Sequence, residues 1–522
     1  MAQEYEGINE ARYKALAIDR EPYLTRGRRV SRLTIPTLLP EETILQHELP
    51  KPWQSMGARC VNTLASKLLL ALFPVNLAFF RLQVDESVYM ENPEAEANRT
   101  EIEETLAGIE KVLATDIELD SVRVKAFEVL RQSLVTGNVL LHLPSNGRRP
   151  RVFRLDAFVC DRDPRGNLIE IVTKETVAPV LLSKETKEAI GYHDDTFGSG
   201  VNSAAGTGQK GCDIYTRCVL TDEGWVETQE AKGAYIPNSR IEHGTDIPYI
   251  CPRMIAEDGS SYGRSICEEY EGDFRVLEVL HQSVAKGALA SARLIPLVNP
   301  QGRTNISDLQ KAKDGQFVQG RPEDVQFLQT QKHADLSVAA GQIQTIERRL
   351  AQVFLINTPR DAERVTAQEV RLLASELESS LGGLFSLLSE EFQQPMVETY
   401  LARAQAAGRI EEIPDWVSVS ISTGLSAIGR GHDRARLEGY LRDITQLGPE
   451  AMRYINMPTL LRQLATADGI DTTELLRTEE EIQAQMQQAQ LAESVNKLAP
   501  TAMREFPDEV REAMAAAQPR LA

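Results

Sequence analysis

The chain has 522 residues, more than one hydrophobic core normally supports, so about two to four structural units are expected. Hydrophobic residues make up 42% and charged residues 25%, which is typical of folded proteins and not of disordered ones. The formal net charge of −19 repels phosphate at long range and disfavours a nucleic-acid coat or repressor, although it is compatible with DNA that passes through a channel.

The six cysteines are scattered and form no CxxC pair, so the sequence predicts no disulfide scaffold and no zinc site, and it favours a reducing compartment. Cys212 and Cys218 are expected as neighbours on adjacent strands. The N-terminal segment is charged and lacks the apolar stretch of a signal peptide. The longest apolar run, Leu68 to Phe73, is too short to span a bilayer, so a soluble chain is expected.

Helical patterns dominate the first 136 residues. Residues 4–28 predict one helix, and Pro52 is expected to open a second that runs to Phe73. Residues 93–136 predict two further helices, which end at Thr136-Gly137-Asn138. The predicted core face of the second helix comprises Met56, Cys60, Leu64, Lys67 and Leu68.

The middle third changes to short strands and turns, which predicts a compact α+β body. Asp163 to Asn167 is read as the turn of a hairpin, and residues 183–211 are read as a polar surface loop because they are rich in Gly, Ser and Asp. The predicted strands are 139–144, 151–155, 158–160, 168–173, 213–220 and 224–228.

The last part returns to helices. Residues 261–292 and 333–356 predict two helices around a mixed stretch, and a polar loop follows at 357–365. The longest helical pattern begins with the capping box of Thr366 and Glu369 and continues past Pro395, which is expected to kink it. A short strand at 417–421 and a helical tail complete a fold class that is α+β and predominantly α-helical.

No motif for catalysis is present. The sequence contains no P-loop, no G-x-S-x-G, no H-E-x-x-H and no EF-hand loop. His193-Asp194-Asp195 lies in the Gly- and Ser-rich loop without a neighbouring histidine, so it is interpreted as solvated loop and not as a metal site. The chain is therefore predicted to be neither an enzyme nor a metalloprotein, and no cofactor is expected.

Several segments resemble one known family. They include KPWQSMGARCVNTLASKLLLALFP (51–74), VTGNVLLHLP (135–144), DGSSYGRSICEEYEGDFRVLE (258–278), LVNPQG (297–302), GQFVQGRPEDVQFLQ (315–329), ERVTAQEVRLLASELESSLGGLFSLLSEE (363–391) and STGLSAIGRGHD (422–433). The resemblance is to the head-to-tail connector (portal) family of short-tailed bacteriophages, and it runs in the same order from about residue 10 to about residue 480.

The resemblance implies a subunit of a dodecameric ring at one capsid vertex, with a wing, a helical stem, a clip, a kinked channel helix and a helical crown. Such a ring conducts the genome during packaging and ejection, carries the tail and nucleates procapsid assembly. The implied parts are the wing (1–260), first stem helix (261–292), clip (293–332), second stem helix (333–356), tunnel loop (357–365), channel helix with a return to the wing (366–424), and crown with C-terminal tail (425–522).

Two groups of basic residues are the candidate sites. Arg360 and Arg364 fall on the implied tunnel loop, where a ring would repeat them as belts of positive charge that steady DNA; pairing with Asp361 and Glu363 is an equally open interpretation. The clip cations could contact DNA, the motor or the tail, or form inter-subunit ion pairs, and the last interpretation is favoured. These cations are Arg293, Arg303, Lys311 and Lys313.

The implied partners are further copies of the chain, double-stranded DNA, the terminase large subunit, tail adaptor and tubular proteins, the scaffold protein, the major capsid protein and internal core proteins, with no membrane. The implied location is the portal vertex of the virion, and the host cytoplasm during assembly. Two other classes stay open from the residues alone: an interaction scaffold outside any virus, and an enzyme whose pocket the sequence does not reveal.

Overall fold

The computed structural model describes residues 7–41, 49–74, 79–84, 99–144, 149–178, 181–190, 211–245, 247–292, 295–302, 304–328, 333–356, 383–410, 419–423 and 441. The chain divides into two compact units, Met1–Ile428 and Gly429–Ala522. Every described helix and strand lies in the first unit.

The described part of the chain mixes helices and strands, as predicted. The helices are α1 (Ile8–Leu33), α2 (Met56–Leu72), α3 (Arg99–Leu119), α4 (Val122–Thr136), α5 (Lys184–Ala189), α6 (Ile266–Glu269), α7 (Glu271–Ala292), α8 (Ile306–Lys311), α9 (His333–Val353), α10 (Leu384–Leu388) and α11 (Gln394–Ala406). The strands are β1 (Phe80–Val84), β2 (Leu140–His142), β3 (Arg151–Phe153), β4 (Phe158–Arg162), β5 (Leu168–Val177), β6 (Cys212–Thr221), β7 (Gly224–Ala231), β8 (Ala234–Tyr235), β9 (Ile241–Gly244), β10 (Tyr249–Ile250), β11 (Ile295–Val298), β12 (Val325–Leu328) and β13 (Val419–Thr423).

The largest sheet is an antiparallel meander in the order β4-β5-β6-β7-β8, with β9 also paired to β7. The predicted hairpin is confirmed: β4 and β5 pair from Phe158 opposite Thr173, and the amide of Asp163 donates to the carbonyl of Asn167 at 2.9 Å. A second sheet has the order β10-β2-β3, and two further pairs join β1 to β13 and β11 to β12.

The main core lies among α2, α3, α4, α7, α9 and α11. The predicted core face of α2 is confirmed, because all five of its residues are buried. The helix begins at Met56 and not at Pro52. The amides of Trp53 and Gln54 donate instead to the carboxylate of Glu278, at 2.9 and 3.3 Å, which holds the chain outside the helix there.

Helix α1 packs on the large sheet and on α4. Its second residue, Asn9, donates its backbone amide to the buried carboxylate of Glu230 on β7 at 2.7 Å, so a side chain distant in sequence caps the helix. Burial raises the pKa of Glu230. Tyr13 and Leu16 fill a small cluster against Val159 and Val172 of the sheet.

Two details of local structure differ from expectation, one strand was not anticipated, and residues 191–210 of the predicted surface loop lie outside the described residues. Cys212 and Cys218 lie on the same strand, β6, and are not cross-strand neighbours. Residues 184–189 form α5 within the predicted surface loop, because the hydroxyl of Ser183 accepts the amide of Thr186. Strand β1 was not anticipated, although Phe80, Leu82 and Val84 alternate as strand residues do.

The predicted long helix is interrupted. Gly383 has φ +84°, in the left-handed region that no α-helix contains, so α10 starts only at Leu384. Directly before Pro395, where a kink is expected, the chain makes a π-helical turn at Ser389–Gln393. Pro395 then stands in the first turn of α11, where its missing N–H is tolerated. The pattern from Thr366 to Gly382 lies outside the described residues.

Candidate functional site

An antiparallel helix pair, α7 and α9, projects from the core and carries the candidate site. Asp273 near the start of α7 pairs with Arg349 near the end of α9, and Gly287 near the end of α7 lies against Leu336 near the start of α9. A Cβ at Gly287 would stand 2.9 Å from a methyl group of Leu336, so the missing side chain lets the two helices approach closely.

The base of the pair is held by the core, whereas its far end is exposed. Phe274 and Leu277 on α7 are buried with Leu350 and Phe354 at the end of α9. Beyond residue 285 of α7 the described side chains are exposed or half-buried. Within the described ranges, the pair is therefore anchored at one end only.

The end of α9 has a tight cap. Leu355 has φ +54°, and the amides of Leu355 and Ile356 donate to the carbonyls of Gln352 and Ala351, which is the Schellman arrangement with leucine in the place of the usual glycine. The ammonium of Lys67 on α2 is buried and donates to the carbonyl of Leu355 at 2.6 Å. This bond ties the end of α9 to α2.

A small hairpin module, residues 295–328, connects the two helices. Strands β11 and β12 pair from Ile295 opposite Leu328 to Val298 opposite Val325. The buried hydroxyl of Thr304 donates to Asp324 at 2.9 Å and accepts the amide of Arg321 at 3.0 Å. These hydrogen bonds form the interior of the described part of the module, since α8 buries none of its side chains.

Two glycines pack closely against these hydrogen-bonded side chains. A Cβ at Gly302 would lie 2.5 Å from the carboxyl carbon of Asp324, and one at Gly320 would lie 2.7 Å from the hydroxyl of Thr304. Both glycines belong to the segments LVNPQG and GQFVQG that were singled out from the sequence. Their role is close packing inside the module.

The helix pair and the hairpin module expose an unusual amount of apolar surface. Eight of the seventeen exposed large hydrophobic side chains among the described residues lie between positions 276 and 338. Phe317, at the turn after α8, is fully exposed. The eight are Val276, Val279, Leu289, Leu297, Ile306, Leu309, Phe317 and Val338.

Two of the six basic residues predicted as site residues lie among the residues that the structure describes. Lys311 at the end of α8 and Lys313 beyond it are both exposed, and the backbone amide of Lys313 donates to the side chain of Gln316. Arg293, Arg303, Arg360 and Arg364 lie outside the described residues, so their roles stay predictions.

Sequence reasoning missed two cations on the helix pair. Lys286 on α7 and Arg348 on α9 are exposed and have no ion-pair partner within the described residues. Neighbouring side chains on the two helices are paired, His281 with Glu347 at 3.4 Å and Arg349 with Asp273. The sequence carried a signal for Lys286, because it lies seven residues after the exposed Val279 and so shares one face of α7 with it.

Nothing in the described residues resembles a catalytic or metal centre. Within the ranges given above, no three His, Cys, Asp or Glu side chains come together as metal ligands. Burial lowers the pKa of His142 to about 4, but the ring is stacked on Tyr249 at 4.4 Å in the second sheet and borders no candidate substrate site. Among the described helices, none has the length and apolar character of a membrane span.

These features are compatible with a subunit that packs against other chains. Comparison with known proteins agrees: residues 9–476 match the family model described as bacteriophage head to tail connecting protein. The portal protein of Enterobacteria phage T3 is 39% identical over 492 residues, which cover 92% of this chain and 90% of the relative. The portal protein of Escherichia phage T7 is also 39% identical, over 94% of this chain and 92% of its own.

More distant similarity extends the same result. The portal protein of Enterobacteria phage SP6 is 28% identical over 92% of this chain and 93% of the relative. Among solved structures, the neck of an empty gene transfer agent particle covers 74% of this chain and 86% of its own at 14% identity, with a TM-score of 0.34, which is too low to support a structural argument.

The chain belongs to the bacteriophage head-to-tail connecting protein family. It is a structural protein of the junction between phage head and tail, and not an enzyme.

Proposed function

We propose that the chain is the subunit of a dodecameric ring at one capsid vertex. The ring nucleates procapsid assembly with the scaffold and major capsid proteins, and contacts the internal core proteins. It conducts the genome during packaging by the terminase and during ejection, and carries the tail proteins. Helices α7 and α9 are its stem, and residues 295–328 belong to its clip.

The observation that carries this proposal is the exposed apolar surface of the stem and clip. Soluble monomers rarely expose contiguous apolar patches beyond a few hundred Å², and larger ones mark interaction sites. Stem residues Val276, Val279 and Leu289 belong to a helix pair that the core holds at one end only. Neighbouring subunits would bury these side chains, and repetition of one such head-to-tail contact closes a ring.

The clip supports the same interpretation. An isolated two-stranded hairpin is marginally stable in water, and this one surrounds a helix with no buried residue. Ile306, Leu309 and Phe317 therefore need a partner surface. Adjacent clips offer one, and the exposed Lys311 and Lys313 then pair with acidic side chains of the neighbouring subunit.

The charge of the chain suits a conduit. A net charge of −19 repels phosphate at long range, so the ring as a whole should not hold DNA tightly and the genome can slide. A few cations repeated twelvefold give local belts that act over about 10 Å at 0.1 M salt. We assign that role to Arg360 and Arg364 on the tunnel loop, with Lys286 and Arg348 as further cations of the stem.

Electron microscopy tests the ring. End-on views of the purified chain should show closed rings of about twelve subunits around a channel. Leu289→Asp should reduce the ring fraction strongly, because it buries a charge in the contact, whereas Leu289→Met keeps the apolar area and should assemble normally. Particles without a channel, or equal assembly of the two variants, would refute the stem contact; open chains or small complexes would favour the scaffold class.

A packaging assay tests the tunnel-loop arginines. Phage carrying Arg360→Gln and Arg364→Gln should form normal rings but retain less packaged DNA, because the positive belts are gone. Arg165→Gln is the matched control, since Arg165 is exposed in the β4–β5 turn. The length of encapsidated DNA, measured by gel electrophoresis, should fall only in the double variant; equal lengths would leave the arginines as ordinary surface charges.

A further inference from the structure

Helix α1 has a second apolar face, on the side away from the large sheet. Its inner side packs on the sheet through the buried Tyr13 and Leu16. Ile18 lies only two residues beyond Leu16, yet it is 73% exposed, because it points to the opposite side of the helix. Exposed apolar residues recur on that side at intervals of three and four, so they share one face of the helix. This α1 face comprises Ile8, Ala11, Ala15, Ile18 and Pro22.

The large sheet has an exposed apolar patch of its own. Ile171, Cys218 and Glu227 lie side by side on β5, β6 and β7, so their side chains project from the same face. Three exposed side chains share that face, because two lie two residues away along β5 and β6 and the third lies opposite Glu227 on β9. This sheet patch comprises Ile169, Leu220 and Ile241, which are 36%, 46% and 48% exposed.

The α1 face and the sheet patch lie on opposite sides of one layer. Val172 follows Ile171 directly on β5, so its side chain projects from the other face of the sheet, and there it packs against Tyr13 and Leu16 of α1. The two patches therefore cannot cover each other within one subunit. They can do so between copies in a head-to-tail contact, which joins two different surfaces of the same chain.

Charges beside the two patches are complementary. Asp19 follows Ile18 on α1 and is exposed, and Arg165 is exposed in the β4–β5 turn that precedes Ile169. Neither side chain has an ion-pair partner within the described ranges. An exposed ion pair adds little to affinity, but it favours one register of two surfaces over another. Loss of Arg165 alone should therefore leave assembly intact.

We propose that the α1 face of each subunit packs against the sheet patch of the next copy in the ring. This inference rests on the proposed ring and adds a second contact to that of the stem. Ala11 and Ala15 leave room on α1 for the larger side chains of the patch, and Ile18 contributes the largest exposed fraction of the α1 face. Repeated in one direction, the contact uses both patches of every subunit once and leaves neither exposed.

Thiol cross-linking of the assembled full chain tests the contact. All six native cysteines are buried, so a cysteine introduced at the surface is the one a reagent reaches. A chain carrying both Ile18→Cys and Leu220→Cys is assembled, treated with a flexible bismaleimide and run on a denaturing gel. A ladder beyond the dimer, up to about twelve subunits, is expected because every subunit contributes to two contacts. Each single variant should stay monomeric on the gel.

A matched pair controls for chance collisions. Val124 is 69% exposed on α4 and belongs to neither patch, so Val124→Cys combined with Leu220→Cys should give no ladder. Dimers from Ile18→Cys alone would reveal a two-fold contact between α1 helices and would overturn the proposal. So would an Ile18→Cys thiol that a maleimide dye fails to label in dissociated subunits, because the chain itself would then cover α1.

Electron microscopy of the same samples separates this contact from the proposed ring. Rings whose double variant stays monomeric on the gel would refute the contact and keep the ring. A ladder from open assemblies would keep the contact and refute ring closure, and monomers in both assays would refute both. Ile18→Asp should raise the dissociation constant between subunits by about tenfold or more, whereas Ile18→Met should leave it unchanged. Equal constants for the two variants would also overturn the proposal.

Discussion

Gly137, at the end of α4, is the position where one added methyl group should cost most. Its φ is +78°, and its amide donates to the carbonyl of Ser133 at 2.8 Å, which closes the helix. A Cβ there would lie 2.6 Å from the carbonyl carbon of Arg264, 2.7 Å from the carbonyl oxygen of Gly263 and 2.8 Å from the amide nitrogen of Ser265. All three are backbone atoms, which cannot rotate away as a side chain can.

The expected cost of Gly137→Ala has two parts. A left-handed conformation costs an L-residue about 1–2 kcal/mol, and forcing a methyl group into a packed site costs about 1–3 kcal/mol more. The sum is about 2–5 kcal/mol of the free energy of unfolding. Gly233 supplies the control, because its φ is +77° and a Cβ there would meet no atom within 4 Å. Gly233→Ala should therefore cost only the conformational part, about 1–2 kcal/mol.

The assay is chemical unfolding of both variants and the unaltered chain, followed by circular dichroism and tryptophan fluorescence under conditions that give the same assembly state. Gly137→Ala should unfold at the lower denaturant concentration of the two. Equal midpoints for the two variants would mean that the contact between the end of α4 and residues 263–265 does not constrain this position, and the steric reasoning would be refuted.

Three further predictions concern buried polar groups. Removing one partner of the buried Arg253–Glu391 ion pair should cost about 3–5 kcal/mol, while replacing both by methionine should recover at least about 2 kcal/mol; additive losses in a double-mutant cycle would contradict the pairing. Burial lowers the pKa of His142 from 6.5 to about 4, so stability should fall by up to about 3 kcal/mol as the pH falls from 6.5 to 4, because the unfolded chain binds that proton first. His142→Phe should flatten this dependence, and an unchanged pH profile of unfolding would contradict the assignment. Lys67→Met should cost about 1–3 kcal/mol in thermal unfolding because the carbonyl of Leu355 loses its charged donor, and a neutral effect would show that the bond is dispensable.

Local patterns were sufficient for the elements that depend on neighbouring residues. The buried face of α2 follows from apolar spacing alone, and the β4–β5 hairpin follows from a turn sequence between two strand-forming runs. The end of α4 at Gly137 follows from the need for a left-handed residue there. The family was also identified from the sequence, because long segments keep their order over most of the chain.

The tertiary structure decided what depends on distant residues. Glu278 delays the start of α2, and the buried Lys67 donates a hydrogen bond to the carbonyl of Leu355, 288 positions away. Strand β1 exists through its pairing with β13, near the far end of the described chain. Helical and turn propensities act within a few residues, whereas strand pairing and buried charge depend on which surfaces the folded chain brings together.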